Sequence, residues 1–162
     1  MTTKTTTRVA RARERPQDYP SDKSVAERDL AATRAYKVAK VDLTGVAANG
    51  FPFTWQNPEA NKIIIHEVIV RVTTAGGTAT AVLDIDVVAS AADTGDTIID
   101  GLDLNATAVS SSHNVTDSGT NGDEKPHVVD ENGGTNDWIT GKCLVEKCDD
   151  LVGAVYIFYT EI

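Results

Sequence analysis

The residues that decide the fold run from Ile63 to Thr73 and read Ile-Ile-Ile-His-Glu-Val-Ile-Val-Arg-Val-Thr. The even positions from 64 to 72 carry aliphatic side chains and His66, whereas the odd positions include Glu67 and Arg71. Because side chains alternate between the two faces of a strand, this period of two predicts a long β-strand with one nearly apolar face. A lone histidine on that face is expected to be a hydrogen-bonded core or interface residue.

A hairpin is predicted directly after this strand. Thr74-Ala75-Gly76-Gly77 is a turn signal because glycine reaches positive φ at little cost. The chain then returns with alternating aliphatic residues from 79 to 87. Further short strands are expected near residues 36–43, 97–99, 102–108, 128–129, 138–140, 143–147 and 154–160. Strands separated by turns, with little helix between them, predict an all-β fold, an antiparallel β-sandwich or jelly roll.

The last predicted strand, residues 154–160, is apolar on both faces. It is therefore expected to be covered on both sides, either by sheet packing or by a neighbouring subunit. A homotrimer is the expected assembly. The candidate residues of the oligomer interface are His66, Val155, Tyr156, Ile157, Phe158 and Tyr159.

Charge divides the chain into an arm and a body. Residues 1–40 hold ten basic and five acidic side chains, about +5, whereas residues 41–162 are strongly acidic and bring the net charge to −9. The interpretation is a basic N-terminal attachment arm joined to a sandwich domain at residues 41–162. Ser24-x-x-Glu27 fits a capping box, which predicts a short helix at about residues 22–36. A long polar stretch, about residues 109–136, is expected to be an exposed loop.

The basic arm has three interpretations: docking on an acidic protein surface, contact with nucleic acid through phosphates, or a solvated tail. No aromatic residue is interleaved among the arginines before Tyr19, so a platform for base stacking is absent. The acidic body would also repel a duplex, so protein docking is favoured and nucleic acid is not an expected partner. The candidate partner-binding residues of the arm are Arg8, Arg11, Arg13, Arg15, Lys23, Arg28 and Arg34.

Sequence motifs for catalysis, cofactors and metals are absent: there is no G-x-S-x-G elbow, P-loop, HExxH or G-x-G-x-x-G. Ser110–Ser112 beside His113 is not expected to form a catalytic pair, since neighbours on a loop rarely reach that geometry. The aspartates between 93 and 103 are interpreted as a solvated acidic loop rather than a calcium site. Cys143 and Cys148 are interpreted as packing residues, with a disulfide, between subunits or within a sharp bend, as the alternative. The expectation is a non-enzyme without cofactor or metal and without a membrane span.

The body resembles a family of tailed-phage virion proteins, small jelly-roll decoration or head-fibre proteins. The similarity spans residues 50–160 and combines several strand and turn segments. Among them are Asn57-Pro-Glu-Ala-Asn-Lys-Ile-Ile-Ile65, Thr97-Ile-Ile-Asp-Gly-Leu-Asp-Leu104 and Leu151-Val-Gly-Ala-Val-Tyr-Ile157. Each segment alone is a common strand or turn sequence, so the resemblance depends on the order and spacing of the segments.

The resemblance implies a structural role without catalysis, as a decoration or cement protein on the outside of a capsid. Made in the host cytoplasm and placed on the virion, such a protein would have the major capsid protein or another virion protein as its partner. It would typically be a trimer. Two alternatives stay open, a tail, collar or fibre component with an adhesin role and a carbohydrate-binding module. The second would use exposed aromatics, for which Trp55 and Trp138 are the only tryptophans.

Overall fold

The computed structural model describes residues 35–76, 80–123 and 125–162. These residues form nine strands and one short helix. The strands are β1 (Lys37–Val46), β2 (Phe53–Gln56), β3 (Ile63–Thr74), β4 (Val82–Val88), β5 (Ile99–Asp103), β6 (Ala108–Ser111), β7 (His127–Val129), β8 (Trp138–Leu144) and β9 (Cys148–Glu161); the helix is α1 (Val115–Ser118). The seven arm residues proposed for partner binding lie outside the described residues, as does the predicted helix up to residue 34.

Two antiparallel sheets contain the described strands. Sheet A has the order β1-β9-β3-β6, with β7 also paired to β3, and sheet B has the order β2-β8-β4-β5. The chain is therefore folded back on itself, because β1 pairs with β9, β2 with β8, β3 with β6 and β4 with β5. Eight main strands divided in this way between two sheets form a jelly roll. The predicted all-β sandwich is confirmed.

The core lies between the two sheets and is mostly aliphatic. Its largest fully buried side chains are Ile63, Ile65, Val68, Val70, Leu83, Ile85, Ile98, Ile99, Leu104, Ile139, Leu151 and Ile157. Both sheets supply them through alternate residues, which is the pattern expected when each sheet packs one face against the other. Each such aliphatic side chain contributes roughly 1.5–3 kcal/mol by leaving water.

A bulge at His66 changes which positions of β3 face the core. Ile65 pairs with Tyr159 and Glu67 pairs with Phe158, so His66 is an extra residue in the ladder with β9. Before the bulge the odd positions Ile63 and Ile65 are buried, and after it the even positions Val68, Val70 and Val72 are buried. The prediction that positions 64 to 72 share one apolar face was therefore wrong, since one inserted residue reverses the alternation. His66 lies on the outer side.

The polar interval at residues 109–136 is not a continuous loop. It contains the end of β6, helix α1 and strand β7, and both strands pair with β3 at the edge of sheet A. Asn114 caps α1 by accepting a hydrogen bond from the Thr116 N–H at 3.0 Å. Strand β7 agrees with the strand predicted near residues 128–129, whereas β6 extends beyond the predicted strand near 102–108 into the interval expected to be a loop. At the other end, β1 begins at Lys37, inside the range assigned to the arm.

Candidate interaction surface on the outer face of sheet A

The outer face of sheet A, which points away from the core, is built from matched rows across the strands. In β9 the side chains of Val155, Ile157 and Tyr159 are buried against sheet B, so the alternate residues Tyr156 and Phe158 point outward. The registers with β1 and β3 extend each row. Two central rows are Val38–Phe158–Glu67 and Lys40–Tyr156–Ile69.

Apolar side chains are concentrated on this outer face. Seven large hydrophobic residues are strongly exposed in the part of the chain that the structure describes, and five of them belong to it: Tyr36, Val38, Val109, Val128 and Val152. Ile64, Ile69, Tyr156 and Phe158 lie between them and are half-buried. Exposed apolar side chains gathered on one face make that face a candidate surface for contact with another molecule.

The outer face of sheet B has the opposite character. Asp84 and Asp86 of β4 and Lys142 of β8 point to that side. Burial raises the pKa of the Asp84 carboxyl, and the nearby carboxylates Asp100 and Asp96 raise it further. Its Oδ1 accepts a hydrogen bond from the Gly101 N–H at 2.7 Å. The described strands of sheet B carry none of the seven strongly exposed hydrophobic residues, so sheet A carries the candidate interface.

Four charged residues interrupt the outer face of sheet A. Lys40 and Asp42 are neighbours on β1 with their charged atoms 3.1 Å apart. Glu67 accepts a hydrogen bond from the Ser111 hydroxyl at 2.6 Å. Arg71 is exposed and makes no ion pair with any described residue. These four charges sum to zero, and Asp150, two residues before Val152 in β9, adds an exposed carboxylate at one end of the sheet.

One corner of the outer face is ordered by contacts among Tyr36, His66 and Thr160. The ring centroids of Tyr36 and His66 are 4.9 Å apart. The Nε2 of His66 lies 2.9 Å from the Thr160 hydroxyl. The bulge in β3 therefore places the imidazole beside the start of β1, where it contacts the Tyr36 ring while that tyrosine is still 71 % exposed.

An ionic cluster closes the adjacent end of the sheet. Lys37 Nζ donates to Glu59 Oε1 at 2.9 Å and also pairs with Glu161. The Tyr159 hydroxyl donates to the same Glu59 oxygen at 3.0 Å. Burial, with the Glu59 carboxylate, raises the pKa of Tyr159 to about 12, and Lys37 lowers the pKa of Glu161. The cluster holds the first residue of β1 against the last residues of β9, and its role is to stabilise this end of the sheet.

The predicted interface residues separate into two groups. Tyr156, Phe158 and His66 lie on the outer face, and their contact with another subunit stays a prediction. Val155, Ile157 and Tyr159 are at most 5 % exposed and belong to the core, so their assignment to an interface was wrong. Alternation in β9 turns these residues inward. Because both faces of the strand are apolar, the sequence did not show which face is buried.

Sequence reasoning missed much of this surface. Tyr36, Val38, Ile64, Ile69, Val109, Val128 and Val152 were not identified, because they come from separate strands that only the sheet order brings together. The alternation of β1, with Val38, Lys40 and Asp42 on one side, was a usable signal. That alternation would have shown that Val38 points outward although it is as apolar as the inward-facing residues of β1.

Groups that could support catalysis do not converge around the serines near His113. The Ser112 hydroxyl is buried and accepts a hydrogen bond from the Val68 N–H at 3.0 Å, while the Ser111 hydroxyl donates to Glu67. Within residues 35–76, 80–123 and 125–162, no group of three or more His, Cys, Asp or Glu side chains could hold a metal ion. None of the described helices has the length and apolar character needed to cross a membrane.

The aspartates between 93 and 103 organise turns. Asp100 accepts a hydrogen bond from the Asn121 backbone N–H, and Asp96 accepts one from the Asn121 side chain. Asp103 accepts a hydrogen bond from the Asn105 N–H at 2.8 Å. Asp96 and Asp100 hold the start of β5 and the loop before it to the segment after α1, while Asp103 orders the turn that follows β5.

The two cysteines are paired across the hairpin between β8 and β9. Cys143 and Cys148 form a disulfide with their Cα atoms 6.7 Å apart, and both side chains are fully buried. The intrachain alternative, a disulfide within a sharp bend, is the one that the structure has. The same residues also pack in the core.

Trp55 and Trp138 were the aromatic candidates for sugar binding. Trp55 is half-buried and its ring contacts that of Tyr159, with centroids 5.5 Å apart. Trp138 is also half-buried, at the start of β8. The two tryptophans therefore do not form a common exposed platform. Among the residues that the structure describes, Tyr36 on the outer face of sheet A is a strongly exposed aromatic residue.

Comparison of the chain with protein-family models, curated proteins and solved structures found no match.

Proposed function

We propose that this chain is a structural protein of a phage virion, which binds the outside of the capsid and stabilises it. The observation that carries the proposal is the apolar outer face of sheet A, a surface suited to contact with protein. The jelly-roll order of the strands is compatible with the resemblance to decoration proteins. The arm, including Arg8, Arg11, Arg13 and Arg15, would dock on carboxylates of the capsid or of neighbouring subunits.

The mechanism is mechanical rather than chemical. A rigid sandwich offers an apolar surface for contact, while a basic arm reaches a second site on the shell. Two linked contacts bind more tightly than either alone, because the second forms at a high effective concentration. Bridging adjacent capsid subunits in this way would raise the force that the shell withstands. Assembly as a homotrimer is part of the proposal as the resemblance implies it.

Virions purified with and without this gene test the proposal. We expect the protein in a copy number comparable to that of the major capsid protein, and particles lacking it should lose their genome at lower temperature. A copy number of only a few per particle would instead support the fibre or adhesin alternative. Absence of the protein from washed particles would contradict a virion role altogether.

A further inference from the structure

We propose that Cys143 and Cys148 form a redox switch at the corner where the chain crosses from sheet B to sheet A. The pair is a dithiol in a reducing compartment and closes to the disulfide in an oxidising one. The closed form holds the turn between β8 and β9 in a strained conformation, and the reduced form releases it. Closure after release from the host cytoplasm rests on the proposed function, whereas the switch itself is a property of the folded chain.

The position of the two cysteines makes their bond a link between the sheets. Cys143 lies opposite Leu83 in sheet B, whereas Cys148, the first residue of β9, lies opposite Val46 in sheet A. Their Cα atoms are 6.7 Å apart, within the range that a disulfide spans. The two residues are only five positions apart in sequence, so the closed bond ties both ends of the turn together where the sheets meet.

Val145 carries backbone strain inside this turn. Its φ is 67°, in the left-handed region that a β-branched residue rarely adopts. The Glu146 N–H donates to the Leu144 carbonyl oxygen at 2.8 Å, which closes a γ-turn of the rare, positive-φ kind around Val145. Strain of this sort persists only where the surroundings hold it. The Val145 side chain is 69 % exposed, so the constraint comes from the ends of the turn, which the disulfide joins.

The facing loop holds Cys143 in place independently of the disulfide. The Asn49 N–H donates to the Cys143 carbonyl oxygen at 3.0 Å, and the Cys143 N–H donates to the Gly50 carbonyl oxygen at 2.9 Å. Asn49 also has a positive φ, 62°, but asparagine tolerates the left-handed region better than valine does. These backbone bonds need no particular state of the sulfur. What changes between the two redox states is therefore the tie across the turn.

Closure of the switch is a two-electron oxidation by a small-molecule disulfide such as oxidised glutathione. The two protein thiols become one disulfide bond, and the small molecule takes up their hydrogens as it is cleaved to two thiols; reduction is the reverse. Both cysteine side chains are fully buried, so the small molecule reaches a sulfur only when the turn opens. The Cys143 Sγ lies 3.1 Å from the Glu146 carbonyl oxygen, which can accept from the thiol of the reduced form.

Redox titration of the purified full-length protein tests the switch. The protein is equilibrated with mixtures of reduced and oxidised glutathione and trapped by alkylation, and its disulfide fraction is measured by mass spectrometry. Val145→Gly removes the strain that closure imposes, so it should raise the equilibrium constant for closure at least about fivefold. Asn49→Gly is the matched control, because it changes the other left-handed residue outside the ring. It should leave the constant unchanged.

Thermal unfolding and hydrogen exchange give independent readouts. The midpoint of the closed form should exceed that of the reduced form by a few degrees more in Val145→Gly than in the wild type. The double variant C143S/C148S cannot close and should show the same midpoint with and without reductant, which separates the switch from effects of the buffer. The Glu146 amide should exchange faster on reduction, whereas the Leu104 amide, which donates to Ala81, should not change.

Three outcomes would overturn the switch. One is a closure constant that Val145→Gly raises no more than Asn49→Gly does. Another is a chain that stays a dithiol in oxidised glutathione, and the third is a disulfide already present in protein alkylated inside intact, reducing cells. No capsid takes part in these measurements, so their failure would leave the virion role standing. Absence of the protein from virions would likewise leave the switch standing.

Discussion

Gly141 illustrates how single residues set the spacing of the core. It stands opposite Phe53 in the pairing of β8 with β2, and a Cβ at this position would lie 2.1 Å from the Phe53 ring. The ring, which is 4 % exposed, occupies the space that a side chain at 141 would need. A glycine weakens a strand locally, and an aromatic ring on the neighbouring strand that packs over the glycine offsets this loss.

Gly141→Ala is expected to lower the free energy of unfolding by about 1–3 kcal/mol, because the added methyl group overpacks the core. Urea denaturation measures the change. Phe53→Leu in the same chain removes the ring atoms that the methyl group would meet, so the double variant should lose less than the two single losses combined. Additive losses would show that the contact with Phe53 is not the cause.

Asp84 is the second residue whose environment has a measurable consequence. Its folded pKa is raised, first by burial and then by Asp100 and Asp96, so folding disfavours the charged carboxylate. The penalty is present in full above the folded pKa. It is relieved as the pH falls through that value towards the ordinary pKa of an aspartate.

Asp84→Asn should therefore stabilise the protein at pH 7, by about 1 kcal/mol, since the amide oxygen can still accept the Gly101 hydrogen bond. The advantage of the variant over the wild type should shrink as the pH is lowered towards 4. Thermal unfolding measured between pH 4 and 8 checks both points. A variant less stable than the wild type at pH 7 would show that the charge is stabilising.

Strand β3 shows how one inserted residue determines a whole element. The bulge at His66 lets Ile63 and Ile65 face the core together with Val68, Val70 and Val72. Without it, an uninterrupted alternation would turn one of the two groups outward. The same insertion turns Ile69 outward, onto the candidate interaction surface.

Deletion of His66 is expected to unfold the protein or to cost more than about 4 kcal/mol, because it would turn either Ile63 and Ile65 or three valines out of the core. His66→Ala is the matched control. It keeps the extra residue and loses only the hydrogen bond to Thr160 and the Tyr36 contact, so it should cost about 1 kcal/mol. Equal effects of the two changes in urea denaturation would contradict the register argument.

At the scale of the whole molecule, the outer faces of the two sheets differ in composition. The described strands of sheet B carry no strongly exposed large hydrophobic residue, whereas the outer face of sheet A carries five. The described core involves residues from Leu43 to Tyr159. The sandwich therefore contains its own core and is joined at Lys37 to the segment that precedes it.

Removal of residues 1–20 is expected to leave the sandwich folded, with a thermal midpoint within a few degrees of the full chain. The truncated protein should fail to load onto the capsid that we propose as its partner, because the first four arginines proposed for docking are gone. Co-sedimentation with particles that lack the protein measures loading. A variant carrying alanine at Arg8, Arg11, Arg13 and Arg15 separates loss of charge from loss of length. Normal loading of the truncated chain would contradict the role of the arm.

The sequence by itself determined the fold class, because alternation and turn residues are local properties. The alternating residues around Ile63–Thr73 and the turns between the other strands were sufficient to predict a β-sandwich. The hairpin predicted directly after this strand was wrong, because β3 lies in sheet A and β4 in sheet B. Only the tertiary structure decided which face of each strand is buried. That choice depends on the bulge at His66 and on pairing between strands far apart in sequence. For the same reason Val38, Ile69, Val109 and Phe158 became one surface only when β1, β9, β3 and β6 were placed side by side.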